Sequence, residues 1–335
     1  MLKRISAVIL IFISVLLFLD SCTPVRPVPT DPAQVVLKKE VERKLKHVKV
    51  IELSDKSRRP FDEPKSLTFT PDNYMMITES GGNRIQRHDS EGNYLNEFRV
   101  NFTQKDHISF PEGIAYSPDK HFFLCDSSNS RILKIDVKGQ VVQEIKSKDP
   151  TGIFLESDLN LGEGVNLNMP SGITVSPRGE IFVADTYNNR IIQIDLSGRL
   201  LWSFGDTKNS KGMLFRPRDI VVDKIGNIYV TDDTNQVKKI SVKKGIIKTF
   251  GGDGTDPGKF NKPKGIAIWN DIFLVVCDSL NGRIQFFTKD GDFITSVDRL
   301  GKVQLSFPYA VESDDFGNLY ILDKQLSILI KVYEI

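Results

Sequence analysis

The sequence is poor in the residues that build metal and redox centres. Its 335 residues include three cysteines and four histidines. Cys22 stands apart near the N-terminus, which leaves Cys125 and Cys277 as the one pair that a bridge within a folded domain could join. An excess of one charge is also missing. Lysine and arginine number 45 against 43 aspartates and glutamates, a formal net charge of +2. That balance gives no reason to expect a nucleic acid partner. Neither a nucleophile motif nor a phosphate-binding glycine loop occurs. The apolar run Ile5 to Leu19, broken by Ser6 and Ser14, is too short and too early for an ordinary spanning helix.

What is present begins with that run. Lys3 and Arg4 precede it, and Asp20, Ser21 and Cys22 follow, the layout of an export signal. "LDSC" at 19–22 resembles the lipobox of bacterial lipoproteins. The resemblance implies a signal peptide over 1–21, lipidation of Cys22, and a mature protein held to a membrane through its lipid anchor. The expected location is the bacterial cell envelope, extracytoplasmic. Thr23 is not the aspartate that marks inner-membrane retention in some bacteria, which in a Gram-negative cell points to the outer membrane or the cell surface. An uncleaved N-terminal anchor is the other reading. Residues 22–46 read as a tether. "TPVRPVPTDPAQ" is proline-rich and extended, and "VVLKKEVERKLK" (35–46) suits a short charged helix acting as a spacer.

The rest of the chain repeats itself. Six copies open on Pro64, Pro111, Pro170, Pro217, Pro263 and Pro308. Fifteen residues later stands an acid every time: Glu79, Asp126, Asp185, Asp232, Asp278 and Asp323. Five residues beyond that, four copies carry Arg84, Arg131, Arg190 and Arg283, while two carry Val237 and Ile328. Turn signals such as "SPRG" and "LSG" divide each copy into about four short strands. Four strands per repeat at this period are the signature of a propeller blade. The expected fold is all-β, a six-bladed propeller of four-stranded blades over residues 47–335. Blade six lacks a fourth strand of its own. "HVKVIELSD" precedes blade one and has strand-forming content, so residues 47–53 are expected to close blade six by pairing with 328–334.

The consensus P-x-G-I-x-V-x-P-x-G-x-I-x-V-x-D-x-x-N-x-R-I resembles the NHL repeat. Copies two, three and five carry it most fully. The resemblance implies the propeller fold and spans functions from binding scaffolds and extracellular sensors to a few metal-dependent enzymes.

Six near-identical acids cannot all be catalytic in one ring. The pairs Glu79–Arg84, Asp126–Arg131, Asp185–Arg190 and Asp278–Arg283 therefore read as structural clips, an acid ending one strand and a base opening the next. Cys125 and Cys277 fall in opposite blades, too far apart to bridge, and read as buried free thiols. The candidate ligand site is the top rim. The residues after the opening prolines, Lys65, Glu112, Ser171, Arg218, Lys264 and Tyr309, vary while their surroundings repeat. Tyr187 in a top turn is a further contact candidate, beside Asp233 and Asn235. An insertion at 146–168 carries apolar Ile153, Phe154 and Leu155 and reads as a lid, as a docking loop, or as a loop folded back on the ring.

Of the histidines, only His107 belongs to a top connection, so no multi-histidine zinc site is expected. Glu112, Asp219 and Glu312 lie on first strands and leave a carboxylate calcium site open. No cofactor and no metal are assigned. The expected function is a binding scaffold or sensor module, not an enzyme, with a protein or cell-envelope polysaccharide as ligand. A metal-dependent hydrolase or lyase with its site in the central channel is the alternative, and a structural subunit of an envelope assembly is a third reading.

Overall fold

The computed structural model describes residues 31–52, 61–146, 165–205 and 214–334. The signal segment, the proline-rich stretch and most of the insertion, with Ile153, Phe154 and Leu155, lie outside these residues. So does residue 53. Six four-stranded antiparallel sheets form the blades of a propeller. Blades one to five take consecutive strands, at residues 64–98, 111–146, 170–204, 217–251 and 263–297. Blade six takes β24 (Pro308–Ser313), β25 (Leu319–Asp323) and β26 (Ile328–Tyr333). Its outermost strand is β1 (His47–Glu52), drawn from before blade one. The register runs from His47 opposite Tyr333 to Glu52 opposite Ile328.

Burial follows position in the blade. Second strands such as Ile181–Asp185 are buried at every residue, because both faces meet a neighbouring blade. Outermost strands such as Leu200–Phe204 are half exposed. The core is accordingly not one mass but six seams. Phe123 and Cys125 of blade two pack on Ile173 and Val183 of blade three, and each other interface has its own cluster. Cys125 and Cys277 are free, buried and in different seams.

The consensus glycine has a steric cause. A Cβ on Gly172 would stand 2.6 Å from the Asp219 Cα, and one on Gly113 would stand 2.3 Å from the Ser171 carbonyl oxygen. In blades two, three and five the neighbouring inner strand approaches too closely at this position for a side chain.

The reading of 22–46 as a free tether is revised from residue 32 on. Helix α1 (Pro32–Lys44), capped by the Asp31 side chain, packs on the ring beside blades five and six. Val41 is fully buried, Leu37 and Leu45 flank it, and the Lys44 ammonium lies 5.7 Å from the Trp269 ring. Arg43 and Lys44 also pair with Glu334, at 3.2 and 2.6 Å. The heptad-poor, charged sequence hides the two or three apolar residues that do this. Residues 299–304 add a small hairpin between blades five and six that the repeat pattern does not contain.

Ring closure by β1 and α1 predicts a sharp truncation effect. A chain starting at residue 31 should unfold cooperatively. One starting at residue 56 loses the β1 pairing and the burial of Val41 and Ile51, about 2 kcal/mol for each side chain. It should melt lower by more than about 10 °C or aggregate through the bared edge. Equal melting temperatures by calorimetry would refute the closure.

Candidate functional site

Each blade is pinned at the top by its buried acid. In blade three the Asp185 carboxylate accepts hydrogen bonds from the Asn168 N–H at 2.8 Å, the Asn188 side chain at 2.8 Å and Arg190 Nε at 2.7 Å. Asp126–Arg131 and Asp278–Arg283 repeat the ion pair at 2.6 and 2.7 Å, and Glu79–Arg84 does so at 2.8 Å. Blade four, where Val237 stands in the arginine's place, has a substitute. Buried Lys238, one residue on, pairs with Asp232. The sequence gives little sign of it, because the cation sits one step out of register. Blade six keeps only backbone donors, the N–H groups of Ser306, Phe307 and Leu326 on Asp323.

These anchors fix the start of every first strand, and so the ring of residues that follow the prolines. All six line one narrow cavity of about 50 Å³ at the upper mouth of the channel. The structure gives them unequal parts. Ser171 is structural. Its hydroxyl is buried, shares a 2.6 Å hydrogen bond with Thr186 and donates to the Arg218 carbonyl at 2.7 Å, tying blade three to blade four. Tyr187 does not line the mouth. It is exposed on the top face, with the Arg216 guanidinium 5.0 Å from its ring and 5.4 Å from that of exposed Phe215. Asn235 uses its side chain to accept from the Lys262 N–H, an inter-blade link.

The remaining five mouth residues carry the chemistry. Arg218 binds Asp233 through Nε at 2.8 Å and through Nη2. Lys264 Nζ lies 3.9 Å from the same Asp233 oxygen. On the far side, Lys65 lies 3.5 Å from Glu63 and 4.8 Å from the Tyr309 ring. Lys324, 3.1 Å from Glu63, sits 5.7 Å from that ring. Glu112 makes no hydrogen bond or ion pair with its side chain among the described residues. Burial pushes its pKa up, against the pull of Lys65, Arg218 and Lys264. Burial, then repulsion from Arg218, brings Lys264 down to about 8. Burial likewise lowers Lys65 and raises Tyr309.

Two deeper residues depart from the repeat. Asp219 stands where blades two, three and five have glycine, and Glu312 stands where other blades have Thr, Ala or Val. Both line the cavity. Burial raises Asp219 to about 6, although it accepts from the Ile266 and Ile220 N–H groups. Burial raises Glu312 to about 8, with the Asp219 charge adding to it. Among the described residues no group of three or more His, Cys, Asp or Glu is gathered closely enough to hold a metal ion.

Comparison with known proteins bears on the fold and on the functional expectation. The family model described as NHL repeat matches residues 109–135 and 167–194. The chain therefore carries NHL repeats on a six-bladed propeller. It is 29% identical over 128 residues to Protein brain tumor of Drosophila melanogaster, 37% of this chain and 12% of that protein. It is 25% identical over 154 residues to a probable peptidyl-alpha-hydroxyglycine alpha-amidating lyase of Caenorhabditis elegans, 40% of this chain and 44% of that one. The chain thus spans less than half the length of these relatives. A solved gluconolactonase from Xanthomonas campestris superposes with a TM-score of 0.64 at 14% identity, covering 88% of this chain and 92% of that structure. A lyase among the relatives and a lactonase on the same fold overturn the expectation that the chain is not an enzyme. That expectation came from the scarcity of histidine and from the lack of a nucleophile motif and of a phosphate-binding loop, which speak to a few kinds of site only.

Glu312 makes the channel's electrostatics measurable. Its folded-state value, about 8, lies above the ordinary 4.5. The folded protein therefore holds the extra proton between those values, and stability is lost as pH rises through the window toward 8. The melting temperature of Glu312→Gln should fall less between pH 5.5 and 8.5 than that of the native protein. Parallel curves for the two proteins would show that Glu312 titrates as in water.

Proposed function

We propose that the upper mouth of the channel is an acid–base site that takes a small ligand by an anionic group and acts on it by proton transfer. The observation that supports this is the Glu112 and Lys264 pair. Both face one cavity and both are displaced toward their neutral forms. A carboxyl whose neutral form is favoured by burial and an amine brought down to about 8 are the kind of acid and base that elimination or hydrolysis needs. Arg218, oriented by Asp233, supplies the anchor for a carboxylate. The lyase and lactonase names among similar proteins support the same class of reaction.

The test is a panel of lactones and β-substituted carboxylic acids. Turnover of any substrate found should fall at least about 100-fold in Glu112→Gln and in Lys264→Met, as for loss of a general acid or base. Melting temperatures should stay close to the native value. No turnover across the panel, with ligand-induced melting shifts alike in native and variant proteins, would sink the proposal.

A second reading, docking of a macromolecule on the top face, is favoured by the exposed Tyr187, Phe215 and Arg216 cluster. The partner would be a protein or an envelope polysaccharide, as a scaffold or sensor requires.

Anchoring to the envelope is also a proposal, supported by "LDSC" and the export-like segment before it. Cys22→Ala should release a folded propeller from membranes after a high-salt wash. Continued membrane fractionation would favour an uncleaved anchor.

A further inference from the structure

We propose that Lys264 is a nucleophilic amine that forms an imine with a 2-oxo acid held at the channel mouth. The inference rests on the mouth being a ligand site, and it names the ligand class and the bond made.

Three features of the geometry carry it. First, Lys264 is a side chain buried in a cavity wall, without the short carboxylate contact that would lock it as an ammonium ion. Its nearest acid, Asp233, is 3.9 Å away and is already held by Arg218 on two nitrogens. Second, Arg218 shares that acid with Lys264, so a carboxylate resting on the guanidinium sets its neighbouring carbonyl carbon beside the amine. Lys65 and Lys324 on the opposite wall add positive charge to the mouth. Third, Glu112 faces the same space with no hydrogen-bonded partner among the described residues. A lysine made less basic by burial and by a second cation is the usual way a protein obtains a free amine near neutral pH. At about 8, Lys264 is free in roughly one molecule in ten at pH 7, against about three in ten thousand for an ordinary lysine.

The step balances without an outside redox partner. The Nζ lone pair attacks the carbonyl carbon, and the carbonyl π pair moves to oxygen, which takes a proton. Nζ loses one proton. The Glu112 carboxyl, in the neutral form that burial favours, then gives a proton to the hydroxyl, which leaves as water as the nitrogen lone pair closes the C=N bond. Amine, 2-oxo acid and one proton become iminium and water. The cavity admits the carboxylate and carbonyl, while the remainder of the ligand lies toward the open top.

Reductive trapping tests this on the whole soluble chain. Pyruvate with cyanoborohydride should give a single adduct, mapped by peptide mass to Lys264, at least about 10-fold faster than on exposed lysines such as Lys38. The rate should climb toward pH 8. The adduct should vanish in Lys264→Arg and form more slowly in Glu112→Gln, a second variant that keeps the amine. Equal labelling of many lysines, or none at Lys264, would overturn the proposal. Lactate, which has no carbonyl, separates the two levels of the argument. If lactate and pyruvate both raise the melting temperature but pyruvate is not trapped, the amine chemistry is wrong and the anion site stands. If neither ligand binds nor traps, both fail.

Discussion

A buried carboxylate at the end of each second strand is the contact on which the rest of the ring depends. It reaches back to a backbone N–H just ahead of the same blade's first strand. Ser109 donates to Asp126 at 2.6 Å, Asn168 to Asp185 at 2.8 Å, Asn261 to Asp278 at 2.7 Å and Ser306 to Asp323 at 2.8 Å. The carboxylates are fully shielded from solvent. Removing such an acid would strand an arginine and several N–H groups together, a cost of about 3 to 5 kcal/mol for a buried pair. The mouth residues follow these anchored N–H groups by three positions. The same bonds that hold the blades therefore hold Arg218, Lys264 and Tyr309 in place around the axis. Scaffold and site are joined at the level of single hydrogen bonds.

The seams between blades supply most of the apolar burial, and links between neighbours add direction to it. Ser80, Ser127 and Ser279 each donate a hydroxyl hydrogen bond to the opening proline carbonyl of the next blade. The Thr186 hydroxyl, 2.8 Å from the Pro217 carbonyl, shares its one proton between that oxygen and Ser171. Small hydroxyl residues at that position in blades one, two, three and five set the rotation of each relative to the next, while blades four and six carry Asp233 and Lys324 there. A channel of fixed bore lets two groups with displaced acidities face one cavity. If the walls relaxed, water would enter and return both to ordinary behaviour.

Much of this was legible in the sequence because repetition is a strong signal. The proline-to-acid spacing locates all six blades, and the missing strand of blade six points to residues 47–53, of which His47–Glu52 form the strand. What escaped notice did so for identifiable reasons. Lys238 replaces an arginine from the adjacent position, which a strict register does not search. Ser171 looks like one more variable rim residue, yet its small hydroxyl is needed between two blades. Helix α1 reads as a charged spacer because two or three apolar residues, chiefly Val41, suffice to dock it. Asp219 shows that a departure from the pattern can be more informative than the pattern. A carboxylate in a glycine's place leaves the repeat's steric rule and enters the channel.

The placement of α1 and β1 also governs how the domain carries load. Tension applied at residue 31 passes first into a helix held by Val41, Leu37 and two ion pairs to Glu334. It passes next into one edge strand paired along six residues with β26. Blades one to four lie outside that path. The domain is thus built like a belt with its buckle beside residue 31. A pull that opens the buckle would separate blade six from its outer strand before it disturbed the inner strands that line the channel mouth.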